Sequence, residues 1–260
     1  MATGAKMRDV EMYERQLGLT VTPFAGETPA SIVSRIAARN AISPRNLCSD
    51  LGLRWPFLCS GYPDQLSGLA DVAGLDRANL TRWNPEKIGI GRYRVGQARS
   101  STGVFRRTAT RVCPACIEEA LEGEGRHGAH QLLEWSVMCL HGCEHHKAPL
   151  VELPRAATSH ETYDVVAQIS RYSDVVKKAA DASPIYAPTV FEAYVRRRIN
   201  HGPQADWLGE LELSQLHGAC LSLGGAICGS SLPSPANVDP DLERELCVEG
   251  LRFSPMGRTG

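Results

Sequence analysis

Apolar residues in the first third of the chain recur at the spacing of short amphipathic helices. A first helix is predicted to start at Thr28-Pro29, because threonine can cap a helix and proline suits its first position. Its apolar stripe consists of Ile32, Val33, Ile36 and Ala37. A second helix starts at Ser43-Pro44 with the same signal and ends at Gly52. The pair has the size of a helix-turn-helix unit, although any small helical domain contains such a pair.

A second helical pair follows and then gives way to strand-like alternation. The pair covers residues 64–73 and 76–83 and ends at Asn84-Pro85. In the segment 89–116 alternation predicts short strands with a loop over 96–103, and the alternating apolar residues are Tyr93, Val95, Val104 and Phe105. After residue 154 the pattern is helical again, with a capping serine at 159, a start signal at 188–189 and an apolar stretch over 211–223.

The segment 89–116 carries positive charge and contains no acidic residue. Its arginines are Arg92, Arg94, Arg99, Arg106, Arg107 and Arg111. Such a cluster favours phosphate binding, but it is equally typical of a solvated hairpin whose arginines pair with glutamates at 118–124. Arginines off the apolar stripes of the first two helices are further candidates. The predicted nucleic-acid-binding residues are Arg35, Arg39, Arg45, Arg92, Arg94, Arg106, Arg107 and Arg111.

The composition indicates what class of protein this is, but it does not identify a binding partner. The 260 residues have a formal net charge of −1 and a hydrophobic content of 43%, which is ordinary for a globular protein. The nine cysteines are odd in number, four cluster centrally and no secretory signal precedes them, which argues against a disulfide framework. We therefore expect a cytoplasmic protein. No apolar run reaches the roughly 18 to 20 residues that span a bilayer, so no membrane partner is expected.

Cysteine and histidine spacing in the centre of the chain predicts a metal site. Cys113 and Cys116 form a C-x2-C knuckle, and Cys143 and His146 form a C-x2-H knuckle after a gap of 26 residues. Four such ligands complete the tetrahedral shell of a structural zinc ion, so the predicted cofactor is Zn²⁺. Rival ligands and a metal-free cysteine cluster stay open on spacing alone, and the rivals are Cys139, His141 and His145.

Catalysis is the weaker interpretation of this cluster. Both cysteines of the first knuckle would serve as ligands, which leaves neither as a nucleophile. The sequence contains no Gly-x-Ser-x-Gly elbow, no Gly-rich phosphate loop and no His-Glu-x-x-His helix. We therefore predict a protein without enzymatic activity and assign no catalytic residue.

These patterns together predict a mainly α fold. It consists of a helix-turn-helix region, a central zinc knuckle with short strands, and a C-terminal helical region. The predicted divisions are an N-terminal tail over 1–22, the helix-turn-helix region over 23–88, the arginine-rich segment and knuckle over 89–154, the C-terminal helical region over 155–235, and a tail over 236–260.

Several short motifs occur in an order that resembles the TniQ family. They are Gly26-Glu27-Thr28-x-x-Ser31, Arg35-Ile36-Ala37-x-x-Asn40, Cys113-Pro114-x-Cys116, Trp135, Cys143-x-x-His146 and Pro149-Leu150, with a looser match at Phe191-x-x-Tyr194, Arg198-Ile199 and Trp207-Leu208. TniQ proteins are associated with transposons that choose their target site. The resemblance implies an accessory DNA-targeting role, helix-turn-helix and zinc-binding elements, and no transposase chemistry. It also implies that Cys113, Cys116, Cys143 and His146 are the zinc ligands.

The resemblance also implies binding partners. They are DNA and a transposition ATPase or transposase, with a CRISPR guide RNA–protein complex in place of DNA for some members, and we add a homodimer as an expectation. Longer relatives have a second cysteine knuckle or a C-terminal DNA-binding extension. This sequence has no second C-x2-C, so we expect a short or truncated member. Two alternatives stay open: a stand-alone DNA-binding regulator, and a protein–protein adaptor without nucleic-acid contact.

Overall fold

The structure is a computed structural model that describes residues 17–107, 110–182, 184–229 and 238–253. These residues form twelve α-helices and five short strands around three hydrophobic clusters. The prediction of a mainly α fold with short strands and a central Cys/His cluster is confirmed. No helix in this part of the chain has both the length and the apolar character needed to cross a membrane.

Five helices form the N-terminal part. They are α1 Pro29–Arg39, α2 Pro44–Asp50, α3 Trp55–Cys59, α4 Pro63–Ala73 and α5 Arg77–Arg82. The predicted caps of the first two are confirmed: Thr28 accepts a hydrogen bond from the Ser31 N–H at 3.3 Å, and Ser43 accepts one from the Asn46 N–H at 3.2 Å. The apolar stripes of these helices, with that of α4, form one hydrophobic cluster.

A three-stranded antiparallel sheet follows. Its strands are β1 Glu86–Gly89, β2 Arg92–Val95 and β3 Ala98–Ser101, and β2 lies between the other two. The predicted loop over 96–103 is therefore wrong, because β3 begins at Ala98. Gly96 makes the tight turn with φ of 59°, and a Cβ atom there would lie 2.4 Å from the Ile199 carbonyl oxygen. Strand β3 is mostly polar, so its sequence gave no sign that it pairs with β2.

The centre of the molecule contains the cysteine knuckles. Strand β4 Arg111–Val112 pairs with β5 Val151–Glu152, and α6 Pro114–Glu124 follows β4, with 3-10 turns at Gly125–Gly128 and Leu133–Ser136. The next helices are α7 Ser159–Thr162, α8 Val165–Arg171 and α9 Ser173–Ala182. Apolar residues of α8 and α9 share a hydrophobic cluster with those of β4 and α6. The predicted division at residue 154 thus runs through a common core.

The last helices pack beneath the sheet. They are α10 Val190–His201, α11 Leu213–Ile227 and α12 Pro240–Arg252, with a 3-10 turn at Trp207–Glu210. Helix α12 contradicts the predicted tail over 236–260, because Leu246 and Cys247 are buried in the cluster that contains α11. The rest of the predicted tails, residues 1–16, 236–237 and 254–260, lies outside the described residues.

Candidate metal centre and arginine surface

The four predicted ligands converge. The sulfur atoms of Cys113, Cys116 and Cys143 and one ring nitrogen of His146 all lie within 4.8 Å of one another. The Sγ atoms of Cys116 and Cys143 are 3.6 Å apart, and His146 Nδ1 lies 3.8 Å from Cys113 Sγ and 3.0 Å from Cys116 Sγ. A tetrahedral zinc ion with ordinary bond lengths would set such separations at about 3.5 to 3.8 Å. Two of the three separations match this range and the third is shorter, so the donor set and its clustering suit a metal-binding site.

Local structure holds the two knuckles in place. Cys113 is the N-terminal cap residue of α6, and Cys116 lies in its first turn. In the second knuckle the Cys143 N–H donates to the Ala148 carbonyl at 2.8 Å and the Lys147 N–H donates to the Cys143 carbonyl at 3.1 Å. Lys147 has φ of 51°, which closes this loop. Since β4 precedes the first knuckle and β5 follows the second, their pairing brings both loops together.

The three thiols of the cluster differ in how readily they lose a proton. Hydrogen bonds from the thiols of Cys113 and Cys116 lower the pKa of Cys143, so this sulfur is the first to become a thiolate. Hydrogen bonds with Cys113 and Cys143 raise the pKa of Cys116. A dication would reverse the second effect, because it stabilises all three thiolates at once. The cluster can bind a metal only by releasing protons.

Two of the rival ligands lie away from the cluster, and the third lies on the surface beside His146. Cys139 is 3% exposed and belongs to the cluster under the sheet, where burial raises the pKa of its thiol. His141 Nε2 lies 3.4 Å from a Glu243 carboxylate oxygen. His145 is exposed, with its ring edge-on to the ring of His146. Proximity thus favours the predicted quartet over these three.

One residue beside the cluster was not predicted. Glu119 Oε2 lies 3.2 Å from His146 Nε2, the ring nitrogen that faces away from the sulfurs. A carboxylate at this nitrogen orients a histidine ligand and raises its basicity. Its position three residues after Cys116 on α6 is the sequence signal, because residues at that spacing share a helix face.

Two of the eight arginines predicted to contact nucleic acid are buried, and for these the prediction is wrong. Arg35 is fully buried, and its guanidinium pairs with Glu27 and Glu124, each at 2.6 Å. Arg111 is 5% exposed and donates to the carbonyls of Val137 at 3.0 Å and Leu140 at 2.8 Å. Both side chains lie inside the molecule, where carboxylate and carbonyl oxygens satisfy their charge.

The other predicted arginines have surface positions of several kinds. Arg39 and Arg45 are exposed on the first two helices, and Arg39 donates to the Thr20 carbonyl. Arg106 is exposed, whereas Arg107 is half-buried and donates to the Cys59 carbonyl. Arg107 therefore connects the arginine-rich segment to the N-terminal helices and offers less to a partner.

The outer face of the three-stranded sheet gathers the remaining charge. Arg92, Arg94 and Arg99 are exposed there, and Arg94 stands directly opposite Arg99 in the β2–β3 register. Like charges in opposed positions destabilise a sheet. Two glutamates offset part of this charge, since the Glu86 carboxylate lies 2.8 Å from Arg94 and Glu212 pairs with Arg92. We call Arg92, Arg94 and Arg99 the arginine face.

Fold and site define a class: a mostly helical protein with short antiparallel sheets and a buried Cys3His cluster suited to a metal ion. The sequence matches the TniQ family over residues 19–150, a span that includes the N-terminal helices, the arginine face and all four ligands. The chain belongs to the TniQ family, as its motifs predicted. This family is associated with transposition, and its members are generally non-catalytic accessory proteins. No curated protein and no solved structure matches the chain.

Proposed function

We propose that this protein is an accessory factor for target-site selection in transposition. It would bind nucleic acid, bridge a targeting complex to a transposition ATPase or transposase, or do both. Family membership supports a role in transposition. The arginine face supports the nucleic-acid part, and it is the observation on which this part of the proposal depends.

The arginine face has a cost that a phosphate ligand would remove. Arg94 and Arg99 oppose each other across two strands, and Arg92 lies on the same side of the sheet. A polyanion placed over them replaces repulsion by attraction and releases condensed counterions. The helices α1 and α2, with Arg39 and Arg45 exposed, form the proposed helix-turn-helix unit. Arg106 belongs to the same proposed contact set, and Arg107 has a smaller share because it is half-buried.

We further propose that the Cys3His cluster binds one zinc ion with a structural role. Four protein ligands fill a tetrahedral shell and leave no position for a substrate. The ion would fix the loop after β4 to the loop before β5, and so support the helices packed on both. The metal centre is then a stabilising element for the binding surfaces rather than a reaction centre.

A salt titration tests the nucleic-acid part. Binding of the full chain to labelled double-stranded and single-stranded DNA would be measured by fluorescence anisotropy from low to moderate salt. Contact with about three phosphates predicts a slope of about −2 to −3 in log K against log salt. The triple variant R92Q/R94Q/R99Q should lose most of this slope, since it removes the arginine face and touches no buried residue.

A matched variant controls for net charge. R171Q/K177Q/K178Q removes three positive charges from exposed positions of α8 and α9. It should leave the slope unchanged if binding is local to the arginine face. Equal losses in both variants would contradict a localised site, and absence of binding at low salt would leave the adaptor alternative.

A further inference from the structure

A groove on the described surface has the wrong charge for nucleic acid. It has a volume of about 1060 Å³ and lies between the loop 24–26, helix α6 and the second cysteine knuckle. Four glutamates line it, namely Glu119, Glu124, Glu134 and Glu144. Lys147 is the single lysine or arginine among the described residues that line it. We call this feature the acidic groove.

The walls of the acidic groove are aromatic and aliphatic. Phe24 stacks on the His130 ring with centroids 4.0 Å apart, and the Arg35 guanidinium lies over the Phe24 ring at 4.3 Å from its centroid. Burial lowers the pKa of His130 to about 4, so this ring is uncharged at neutral pH. Trp83 and Leu132, both half-buried, complete the apolar lining. These walls offer preorganised contacts to an apolar side chain.

The glutamates divide into two pairs. Glu124 and Glu134 already have buried partners, since Glu124 lies 2.6 Å from Arg35 and Glu134 lies 3.4 Å from Arg196. Glu119 lies 3.2 Å from His146 and Glu144 lies 3.9 Å from Arg196, but their side chains are 69% and 63% exposed. Two carboxylates therefore stand at the rim, where a ligand can reach them, above an apolar interior.

An acidic rim above an apolar interior indicates which kind of ligand the groove can bind. The rim repels phosphate, so neither DNA nor RNA fits the groove. Pockets for small molecules range from about 300 to 1,000 Å³, and this open groove lies at the upper end of that range. We propose that the acidic groove binds a cationic peptide segment of a protein partner, with an apolar side chain in the groove and lysine or arginine at the rim. Its biological meaning rests on the bridging role proposed above, but peptide binding and DNA binding can fail separately.

Gly123 gives a direct test of occupancy. It is an exposed residue of α6 that lines the groove, and a Cβ atom built on it meets no atom within 4 Å. G123F would thus place a ring in the groove without displacing the protein, and G123A is its matched control. The probe is a labelled synthetic peptide in which leucines are flanked by arginines, measured by anisotropy with full-length protein at low salt. We expect G123F to weaken binding about tenfold or more, and G123A to bind as the wild type does.

Charge variants complete the experiment. E119Q/E144Q should weaken peptide binding by about tenfold and flatten its salt dependence, with metal content measured to show that the centre is intact. D241N/E245Q removes two exposed acids of α12 as a control and should have no effect. A probe with glutamates in place of arginines should not bind.

Three results would overturn the proposal. They are an absence of peptide binding at low salt, peptide binding that G123F does not alter, and DNA binding that G123F abolishes. The R92Q/R94Q/R99Q variant separates the two proposals, because it should lose DNA binding and keep peptide binding. If the wild type binds the peptide but no DNA at low salt, that result would count against the proposed nucleic-acid role and not against the groove.

Discussion

Arg35 and Arg45 occupy similar positions in sequence but differ in their surroundings. Both lie off the apolar stripe of a short helix, which favours a solvated or ligand-binding role. Arg45 is exposed, but Arg35 is enclosed by Glu27, Glu124 and the Phe24 ring. Glu27 has no exposed side-chain surface either, and burial raises its pKa even though Arg35 opposes that effect. The Arg35–Glu27 pair is therefore a structural unit of the interior.

Replacing Arg35 should lower the free energy of unfolding. R35A leaves Glu27 buried without its cation, which costs about 3–5 kcal/mol of the free energy of unfolding. R45A, on the surface, should change it by less than about 0.5 kcal/mol. Urea denaturation followed by circular dichroism compares the two. Equal stability of R35A and R45A would contradict the buried ion pair.

The cysteines near the metal centre can be separated by substitution. C113S should abolish the proposed zinc binding and destabilise the centre, because structural metal binding and folding are coupled. C139A should keep about one zinc per chain and lose about 1 kcal/mol, since Cys139 is a buried core residue in another cluster. Metal analysis of the purified variants is the measurement. Zinc loss in C139A with retention in C113S would reverse the assignment of ligands.

The opposed arginines on β2 and β3 lower the stability of the hairpin but give this face of the sheet its positive charge. R99E would convert the repulsive pair with Arg94 into an attractive one, and should stabilise the protein by about 0.2–1 kcal/mol. The same change should weaken DNA binding, because it removes and reverses charge on the arginine face. Thermal unfolding and anisotropy measured on one sample test both signs. A variant that loses stability and keeps DNA binding would contradict this account of the sheet.

Helices α11 and α12 approach each other through glycine. A Cβ atom on Gly224 would lie 1.9 Å from the Leu246 carbonyl oxygen, and Gly218 on the same helix has no atom within 4 Å of its Cβ position. G224A should therefore cost about 1–3 kcal/mol, because the helices must separate. G218A should instead stabilise by up to about 1 kcal/mol through helix propensity. Melting temperatures of the two variants give the comparison, and a stable G224A would show that this contact yields easily.

Metal removal should affect the molecule as a whole. The knuckles lie between β4 and β5, and their cluster is shared with α6, α8 and α9, so loss of the ion loosens both sides of the centre. A chelator should lower the melting temperature by about 10 °C or more. The effect should shrink as pH falls, because protons compete with the metal for the ligand sulfurs and the histidine and so reduce the stability that the ion adds. C113S should not respond to the chelator, and an equal response in wild type and C113S would contradict the site.

Much of the candidate site could be predicted because it depends on short-range spacing. Two knuckles, each with two ligands separated by two residues, fix four donors before any tertiary contact is known. The helix starts at Thr28 and Ser43 are local in the same way, since a cap is a contact over three residues. Glu119 was missed, and Arg35 and Arg111 were misassigned, because their partners are distant in sequence. Periodicity identifies a helix face, but not the direction that a long side chain takes.

The sequence by itself determined the starts of the first two helices, the spacing of the four candidate ligands and membership of the TniQ family, because caps, spacings and motif order are properties of neighbouring residues. Only the tertiary structure decided which arginines are available, where the acidic groove lies, and that α12 belongs to the core. Those features arise where segments far apart in the chain meet. Contacts between distant segments decide which side chains are buried, which charges oppose each other across strands and how closely helix backbones approach. A local sequence pattern does not contain this information.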